Sequence, residues 1–267
     1  MNVILERFDT GKPFSVSRFG SVEIQYYLCY KYTVLKPFLI RRAKLNGHKN
    51  AGIFPFTSHT GKSFVNEIDI ALKDIDILGS WRTEELILYP KLKSVSKMGL
   101  HDISPFSTSG NWLKILNLKR VLVIHPFKQT ILHQYERRNK VFQSALYRPD
   151  FKSIEILVPP QTNAYRTEGY DSWMSAFNEL KKLVAEKEFD VALIGCGSYG
   201  MPIAAHIKKL GKVAIHLGGS TQLLFGIHGR RWDNDERYNH IKTDHWCRPL
   251  ASDTISNKEL VENACYW

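Results

Sequence analysis

Residues 190–219 read DVALIGCGSYGMPIAAHIKKLGKVAIHLGG. A short apolar run is followed by a turn that contains Gly195, Gly197 and Gly200, then by an amphipathic helix and a second apolar run that ends at His216. This order predicts two parallel strands joined by a crossover helix. Because a glycine turn at a helix N-terminus lets backbone N–H groups approach an anion, the segment also predicts a site for a nucleotide or a phosphorylated sugar.

The spacing Gly195-x-Gly197-x-x-Gly200 matches the dinucleotide-binding fingerprint. In that fingerprint an acidic residue at the end of the next strand holds a ribose, but here this strand ends in His216-Leu-Gly218. NAD is therefore disfavoured, and the phosphate of a mononucleotide or of a sugar diphosphate is favoured. The alternative interpretation is that the glycines serve only close packing of helix against strand.

Apolar and helical patterns alternate along the rest of the chain. Strands are predicted over residues 13–17, 76–79, 120–125 and 153–158, and helices over 24–30, from 63 up to the strand at 76, 127–145 and 173–187. This alternation predicts an α/β protein with a Rossmann-like, mostly parallel sheet and helices on both faces. Because no linker or repeat interrupts it, we expect residues 1–267 to form one domain.

Composition is that of a globular protein without a membrane span. With 267 residues, 43% of them apolar, the chain can bury a large core. No window approaches 18 uninterrupted apolar residues, and the first residues carry charges where a signal peptide would be apolar. The four cysteines lie far apart, which favours neither a disulfide framework nor a zinc site. These features predict a soluble, cytoplasmic protein.

The formal net charge of +11 is concentrated in residues 31–49, which contain six basic residues and no acid: Lys31, Lys36, Arg41, Arg42, Lys44 and Lys49. A solvated helix face, anionic lipid headgroups, an anionic acceptor and nucleic acid all account for such a patch. No nucleic-acid-binding motif accompanies it, so we expect no nucleic-acid partner. The patch instead predicts a peripheral contact with the inner face of a membrane that carries the substrate.

Three polar loops follow predicted strands, at 18–23, 161–164 and 195–200. Because the carboxyl ends of parallel strands share one edge of a sheet, we expect these loops to form the ligand site. The candidate residues, including those after the last strand, are Arg18, Gly20, Ser21, Glu23, Asn163, Gly195, Gly197, Ser198, Gly200, His216, Gly218, Gln222 and Arg231. Structural roles remain open for Glu23 as an isolated acid, for His216 as a half-buried histidine, and for Arg231 in a surface ion pair.

Several of these segments together resemble a known family. Residues 14–23 (FSVSRFGSVE), 120–124 (RVLVI), 156–165 (ILVPPQTNAY) and 191–218, with Arg138-Asn139 between them, occur in the order found in the bacterial GT-D fold glycosyltransferases and the GT-D-like domains of surface-polysaccharide gene clusters. The similarity spans most of the chain. It implies a GT-D-like fold, a nucleotide-sugar donor such as a UDP-hexose, and transfer to a hydroxyl of a glycan or lipid-linked glycan acceptor.

In that family an Arg-x-Gly-Asp-x-Glu segment carries an Asp-x-Glu pair that is associated with the donor and its divalent metal. The matching positions here are Arg18, Gly20, Ser21 and Glu23. Because Ser21 stands at the position of the first acid, the metal site implied by the resemblance has one charge fewer. Glu23 is then the single candidate ligand for Mn²⁺ or Mg²⁺.

Sugar transfer builds negative charge on the departing nucleotide, which the protein must stabilise. We expect Arg18, the glycine turn and Arg231 to hold this charge, while Glu23 binds a metal, contacts the sugar or acts as base to the acceptor. His216 would orient a phosphate or act on the acceptor. Two other classes stay open: another Rossmann-like nucleotide-dependent enzyme, such as a methyltransferase or oxidoreductase, and a non-catalytic nucleotide-sugar-binding protein, for which Ser21 would mark an inactive site.

Overall fold

Seven parallel strands form one sheet in the structure, a computed structural model that describes residues 3–32, 37–106 and 112–267. The strand order across the sheet is β3-β2-β1-β7-β6-β4-β5, and every neighbouring pair is parallel. The strands are β1 (Ser15–Ser17), β2 (Ile77–Ser80), β3 (Ser96–Gly99), β4 (Arg120–Ile124), β5 (Ser153–Leu157), β6 (Val191–Ile194) and β7 (Val213–His216). The predicted parallel α/β sheet is therefore confirmed.

Helices pack on both faces of this sheet. The α-helices of the described residues are α1 (Val3–Asp9), α2 (Ser21–Lys31), α3 (Pro37–Ala51), α4 (Ser58–Asp74), α5 (Lys128–Glu136), α6 (Arg138–Val141), α7 (Trp173–Ala185) and α8 (Gly200–Lys209). Short 3₁₀ turns form much of the chain after β7. None of the helices in the described residues has the length and apolar character needed to cross a membrane.

Side chains alternate along the central strands and form two cores. Leu122 and Ile124 pack on the face covered by α2, α4, α7 and α8, whereas Val121 and Val123 pack on the face covered by α1, α5 and the chain after β7. Each of these four side chains is at most 2% exposed. Because full burial of such a side chain contributes roughly 1.5–3 kcal/mol, two-sided burial of the apolar runs stabilises the central strands.

The helix boundaries depend on capping groups and on tertiary packing. Helix α4 begins at Ser58, before the predicted start, because the Thr57 hydroxyl accepts a hydrogen bond from the N–H of Thr60 at 3.1 Å. The predicted helix 127–145 is wrong in its length, since it breaks at Arg137 and ends at Val141. Phe142 is extended there, and its ring packs 5.6 Å from that of Trp246.

The chain connects the strands in opposite directions across the sheet on the two sides of the β1–β7 pair. Val16 of β1 pairs with Ile77 of β2 on one side and with Ile215 of β7 on the other. The chain leaves β1 towards β2, whereas β7 is reached from β6 on the opposite side. In open α/β sheets, ligands bind beyond the carboxyl ends of strands at such a switch point.

Candidate functional site

A cavity of about 800 Å³ opens at the carboxyl edge of the sheet, beside the switch point. Its volume lies within the range of small-molecule binding sites. All three predicted loops contribute to its wall, and most of the candidate residues line it: Arg18, Gly20, Ser21, Glu23, Asn163, Gly195, Gly197, His216, Gly218, Gln222 and Arg231. Segments from both ends of the chain therefore meet in one space.

Arg18 and Glu23 enter the cavity from the connection between β1 and α2. Arg18 directly follows β1, and Glu23 lies in the first turn of α2, which has Gly20 as its N-cap. The carboxylate of Glu23 folds back over Gly20, because a Cβ built on Gly20 would overlap its Oε2. A glycine at this position therefore allows the carboxylate to lie at the positive end of the helix.

Burial and mutual attraction have opposite effects on the pKa values of these two side chains. Burial raises the pKa of Glu23, and the nearby Arg18 guanidinium partly offsets this increase. Burial also lowers the pKa of Arg18, and Glu23 opposes that decrease. Arg18 Nε is buried without a hydrogen-bond partner among the described residues. Arg18 therefore brings an incompletely bonded positive charge to the cavity, where an anionic ligand would satisfy it.

Trp81 holds the Arg18 side chain in place. Arg18 Cζ lies 5.2 Å from the centroid of the Trp81 ring, and Trp81 Nε1 donates a hydrogen bond to the Phe19 carbonyl at 2.8 Å. The indole also lines the cavity. Sequence patterns did not select Trp81, although it follows directly after β2 and so lies at the same edge of the sheet.

The glycines of the turn after β6 have different roles. A Cβ on Gly195 would come within 2.7 Å of both the Gly218 carbonyl oxygen and His125 Cδ2, so Gly195 is required for close packing. Gly197 has a φ of +57°, and the nearest atom to a Cβ built there is the Ala51 carbonyl oxygen at 3.9 Å. Gly197 is therefore required for its left-handed conformation, and it borders the open cavity.

Ser198 and Gly200, which the sequence predicted as ligand-binding residues, are not among the residues that line the cavity. The Ser198 hydroxyl donates to the Ala51 carbonyl at 2.5 Å and accepts from Trp173 Nε1 at 2.9 Å. A Cβ on Gly200 would overlap Nε2 of His216, so this glycine makes room for the histidine ring. Both residues therefore serve the packing of the turn.

His216 ends β7 and packs against the first residue of α8. Burial, with a smaller contribution from Arg18, lowers its pKa to about 3. Its Nδ1 is buried without a hydrogen-bond partner among the described residues. His216 is thus a neutral imidazole at neutral pH, able to exchange a hydrogen bond with a ligand but unable to add positive charge to the cavity.

Asn163 lies in a loop that hydrogen bonds fix on both sides. The neighbouring Thr162 hydroxyl donates to the Gly52 carbonyl at 2.9 Å and bonds the Tyr199 hydroxyl at 2.7 Å. The N–H of Ala164 donates to the Lys49 carbonyl at 2.7 Å. Asn163 Oδ1 is buried without a partner among the described residues. The loop therefore presents a polar group of fixed position to the cavity.

Residues near the end of the sequence also form part of the cavity wall. Arg231 is bonded to the carboxylate of Glu262, and its guanidinium lies 4.6 Å from the Tyr266 ring centroid. Gln222 Nε2 donates to the Tyr266 carbonyl at 3.1 Å and to the Ile227 carbonyl at 3.3 Å. The amide group of Gln222 is therefore occupied in holding this segment, and its Oε1 is buried without a partner among the described residues.

Strained backbone accompanies this wall. Glu262, Asn263 and Ala264 are consecutive non-glycine residues with φ values of +46°, +56° and +56°. Such conformations cost of order 1–3 kcal/mol each and persist only where surrounding contacts enforce them. The contacts here include hydrogen bonds from the Glu262 N–H to Asn50 Oδ1 and from the Arg231 N–H to the Cys265 carbonyl.

His125 also lines the cavity, although no sequence pattern selected it. It directly follows β4, as Arg18 follows β1, and this position was the signal that could have identified it. Its Nδ1 accepts a hydrogen bond from the N–H of Phe127 at 3.1 Å, and burial lowers its pKa to about 3. His125 is therefore a second neutral imidazole at this edge of the sheet.

The residues around Glu23 do not fit a protein-held divalent metal. In the described part of the chain, no three His, Cys, Asp or Glu side chains are grouped so that they could hold a metal ion. Ser21 replaces the acid that would stand beside Glu23, the nearby Arg18 repels cations, and Glu262 is engaged with Arg231. Mg²⁺ usually keeps several waters and is held by one or two carboxylates together with the phosphates of a substrate, so Glu23 alone does not make a metal site without the ligand.

The basic region 31–49 is described only in part. Lys31 forms an ion pair with Asp69, which neutralises part of the expected positive charge. Arg41 is exposed on α3. Lys36 and the side chains of Arg42 and Lys44 lie outside the described residues.

Comparison with known proteins gave one structural likeness. No family model matches the sequence, and no curated protein matches it. The fold is similar to a solved structure titled as a selenomethionine-substituted domain of unknown function 1792 (DUF1792), with a TM-score of 0.47 and 14% identity, covering 82% of this chain and 77% of that chain. This likeness does not identify a function.

Proposed function

We propose that this protein is a glycosyltransferase that moves a hexose from a nucleotide-sugar donor, a UDP-hexose in the first instance, to an acceptor hydroxyl of a surface glycan. The observation that carries the proposal is the meeting of Arg18, Glu23 and the Gly197 turn in one cavity at the switch point. The resemblance in sequence to the GT-D glycosyltransferases supports the choice of donor.

Arg18, Arg231 and the N–H groups of the glycine turn would hold the diphosphate of the donor. The first N–H groups of a helix or 3₁₀ turn have no partner within that element, and Gly197, the first residue of this 3₁₀ turn, borders the cavity. The two arginines would supply positive charge from two distant segments of the chain. Together these groups would stabilise the charge that builds on the nucleotide as the bond to the sugar breaks.

Glu23 would accept the proton of the acceptor hydroxyl or a hydrogen bond from the sugar. Burial raises its pKa, which makes its carboxylate a stronger base than an exposed glutamate. Because it lies near Arg18, Glu23 would lie next to the proposed diphosphate. We further propose that the arginines replace a protein-held metal, so transfer would continue in the presence of EDTA.

Ligand binding followed by turnover tests the proposal. Thermal-shift and calorimetric titrations with UDP, UDP-hexoses, GDP-hexoses, NAD and S-adenosylmethionine should give stabilisation by a UDP-hexose. Release of UDP with a glycan acceptor, measured with and without EDTA, should then show transfer. Stabilisation by NAD or S-adenosylmethionine alone would reject the proposal in favour of an oxidoreductase or a methyltransferase. Donor binding without donor hydrolysis or transfer would support a non-catalytic nucleotide-sugar-binding protein.

The acceptor would be held near a membrane through the basic region. We propose that the basic region 31–49, in which Arg41 is exposed on α3, contacts anionic lipid headgroups. Arg41→Glu should then reduce co-sedimentation with vesicles that contain anionic lipid, whereas Lys152→Glu, at an exposed position before β5, should not. If both variants co-sediment with these vesicles equally well, the proposed membrane contact is rejected. The proposal of sugar transfer is unaffected by that result.

A further inference from the structure

His125 is a buried histidine that the proposed transfer does not yet use. Its side chain is 3% exposed, yet it borders the cavity directly after β4. Its Cδ2 lies against Gly195, at the point where a side chain on that glycine would come within 2.7 Å. Cδ2, the ring atom next to Nε2, therefore faces the beginning of the glycine turn.

The hydrogen bond at the other ring nitrogen fixes the tautomer. The N–H of Phe127 donates to His125 Nδ1 at 3.1 Å, so Nδ1 carries no proton. A neutral imidazole then carries its proton on Nε2. Burial keeps the ring neutral, since it lowers the pKa of His125 to about 3. Nε2 is therefore an N–H donor across the physiological pH range.

This donor has no acceptor within residues 3–32, 37–106 and 112–267. The nearby ring of Phe127, whose centroid lies 4.8 Å from that of His125, supports the orientation of the imidazole but offers no lone pair. Since His125 lines the cavity, a ligand oxygen at this place would gain a hydrogen bond from Nε2 without loss of an existing one in these residues.

We infer that His125 donates a hydrogen bond from Nε2 to a non-bridging phosphate oxygen of the ligand and thereby positions its diphosphate against the glycine turn. The inference rests on the proposed function, which places a diphosphate there. It adds a neutral donor to the charged Arg18 in the same cavity, and it makes His125 a positioning residue that does not exchange its proton.

Two substitutions test the roles of the two ring nitrogens of His125 separately. His125→Asn keeps an oxygen near the position of Nδ1, which can accept from Phe127, but removes the donor at Nε2. His125→Gln places an amide N–H near the position of Nε2. With inorganic pyrophosphate and UDP as probes, His125→Asn should bind at least about tenfold more weakly, whereas His125→Gln should recover most of the affinity.

Nuclear magnetic resonance of the imidazole nitrogens in the wild-type protein provides a measurement that no variant can confound. The spectrum should show the Nε2–H tautomer, and addition of pyrophosphate should shift Nε2 more than Nδ1. An Nδ1–H tautomer, or an unchanged Nε2 when pyrophosphate is bound, would overturn the inference even if both variants failed to fold.

The outcomes also distinguish this inference from the proposed function. If the wild type binds pyrophosphate and His125→Asn binds it equally well, His125 makes no phosphate contact while the nucleotide-sugar proposal stands. Weaker binding of UDP-glucose by His125→Asn, with pyrophosphate unaffected, would move the contact from phosphate to sugar and overturn the inference. Failure of the wild type to bind UDP, UDP-glucose and pyrophosphate would reject both.

Discussion

Arg18 lies between the indole ring of Trp81 and the backbone of Gly218. Its Cζ is 5.2 Å from the ring centroid, and a Cβ on Gly218 would come within 3.2 Å of its Nη1. Gly218 has a φ of +61°, which favours glycine in the turn after β7. The absence of a side chain at Gly218 also leaves room for the guanidinium. Trp81 and Gly218 fix the orientation of the Arg18 guanidinium before a ligand binds, which reduces the entropy lost on binding.

Trp81→Leu should weaken pyrophosphate binding roughly fivefold, because the change removes the cation–π contact to Arg18 and the hydrogen bond to the Phe19 carbonyl. Calorimetric titration at fixed salt measures the effect. Leu86→Ala is the matched control, since Leu86 lies on the 3₁₀ segment that follows Trp81 and is 59% exposed. Equal affinities of Trp81→Leu and Leu86→Ala would show that Trp81 does not position Arg18.

Gly197→Ala should bind UDP at least tenfold more weakly, because it places a methyl group at the cavity where phosphate must approach. Gly211→Ala is a close control: Gly211 has a φ of +79°, and no atom lies within 4 Å of a Cβ built there. Both variants should lose roughly 1–2 kcal/mol of unfolding free energy through the left-handed conformation. Denaturant unfolding and UDP titration separate the two effects, and parallel losses of affinity would exclude Gly197 from the phosphate site.

Glu262→Gln should strengthen UDP binding roughly two- to fivefold, because it removes a negative charge that competes with the ligand for Arg231. The gain should shrink as salt is added. Glu259→Gln controls for the charge change on the same segment, since Glu259 is 66% exposed and its oxygen lies 3.9 Å from Arg230. Weaker binding by Glu262→Gln would indicate instead that the ion pair holds Arg231 in its binding position.

Glu23→Gln should lower kcat by about a hundredfold or more while UDP affinity is kept or improved, since the acceptor loses its base and the diphosphate loses a negative neighbour. Glu23→Ala should likewise abolish transfer while leaving the fold intact. Near-normal turnover by either variant would remove Glu23 from the chemistry.

Glu23 should also leave a signature in the pH dependence of stability. Because burial raises its pKa in the folded state, the folded protein binds more protons than the unfolded chain just above the ordinary glutamate pKa. The free energy of unfolding therefore falls as pH rises from about 4.5 through the raised value. Glu23→Gln should lack this decrease, whereas Glu236→Gln, at an exposed position, should retain it. Urea unfolding at a series of pH values measures the difference.

The sequence predicted the central strands because their apolar runs are buried on both faces, as for Arg120–Ile124 and Val191–Ile194. The sequence also predicted that the loops 18–23, 161–164 and 195–200 lie at the same edge of the sheet, because loops that follow parallel strands share the carboxyl edge. Strand β3 was missed because Ser96–Gly99 is short, polar and alternately exposed. Its place in the sheet depends on pairing with β2, which local patterns do not record.

The direction of side chains within the glycine turn could not be predicted in the same way. Ser198 faces Ala51 and Trp173, two partners far from it in the chain, so its hydroxyl is consumed in packing. The tautomer of His125 depends on the N–H of Phe127, and the wall around Arg231 depends on irregular chain near Glu262. Such features arise from tertiary contacts between segments without periodic patterns.

The chain after β7 contributes no strand to the seven-stranded sheet in the described residues, yet it lines one side of the cavity with Trp232, Tyr238 and Tyr266. Substitutions in this segment alter the shape of the cavity while leaving the hydrogen bonds between strands intact. Selectivity can therefore diverge, in evolution or in the laboratory, by mutation of this one segment while the scaffold that grips the shared part of the ligand stays constant.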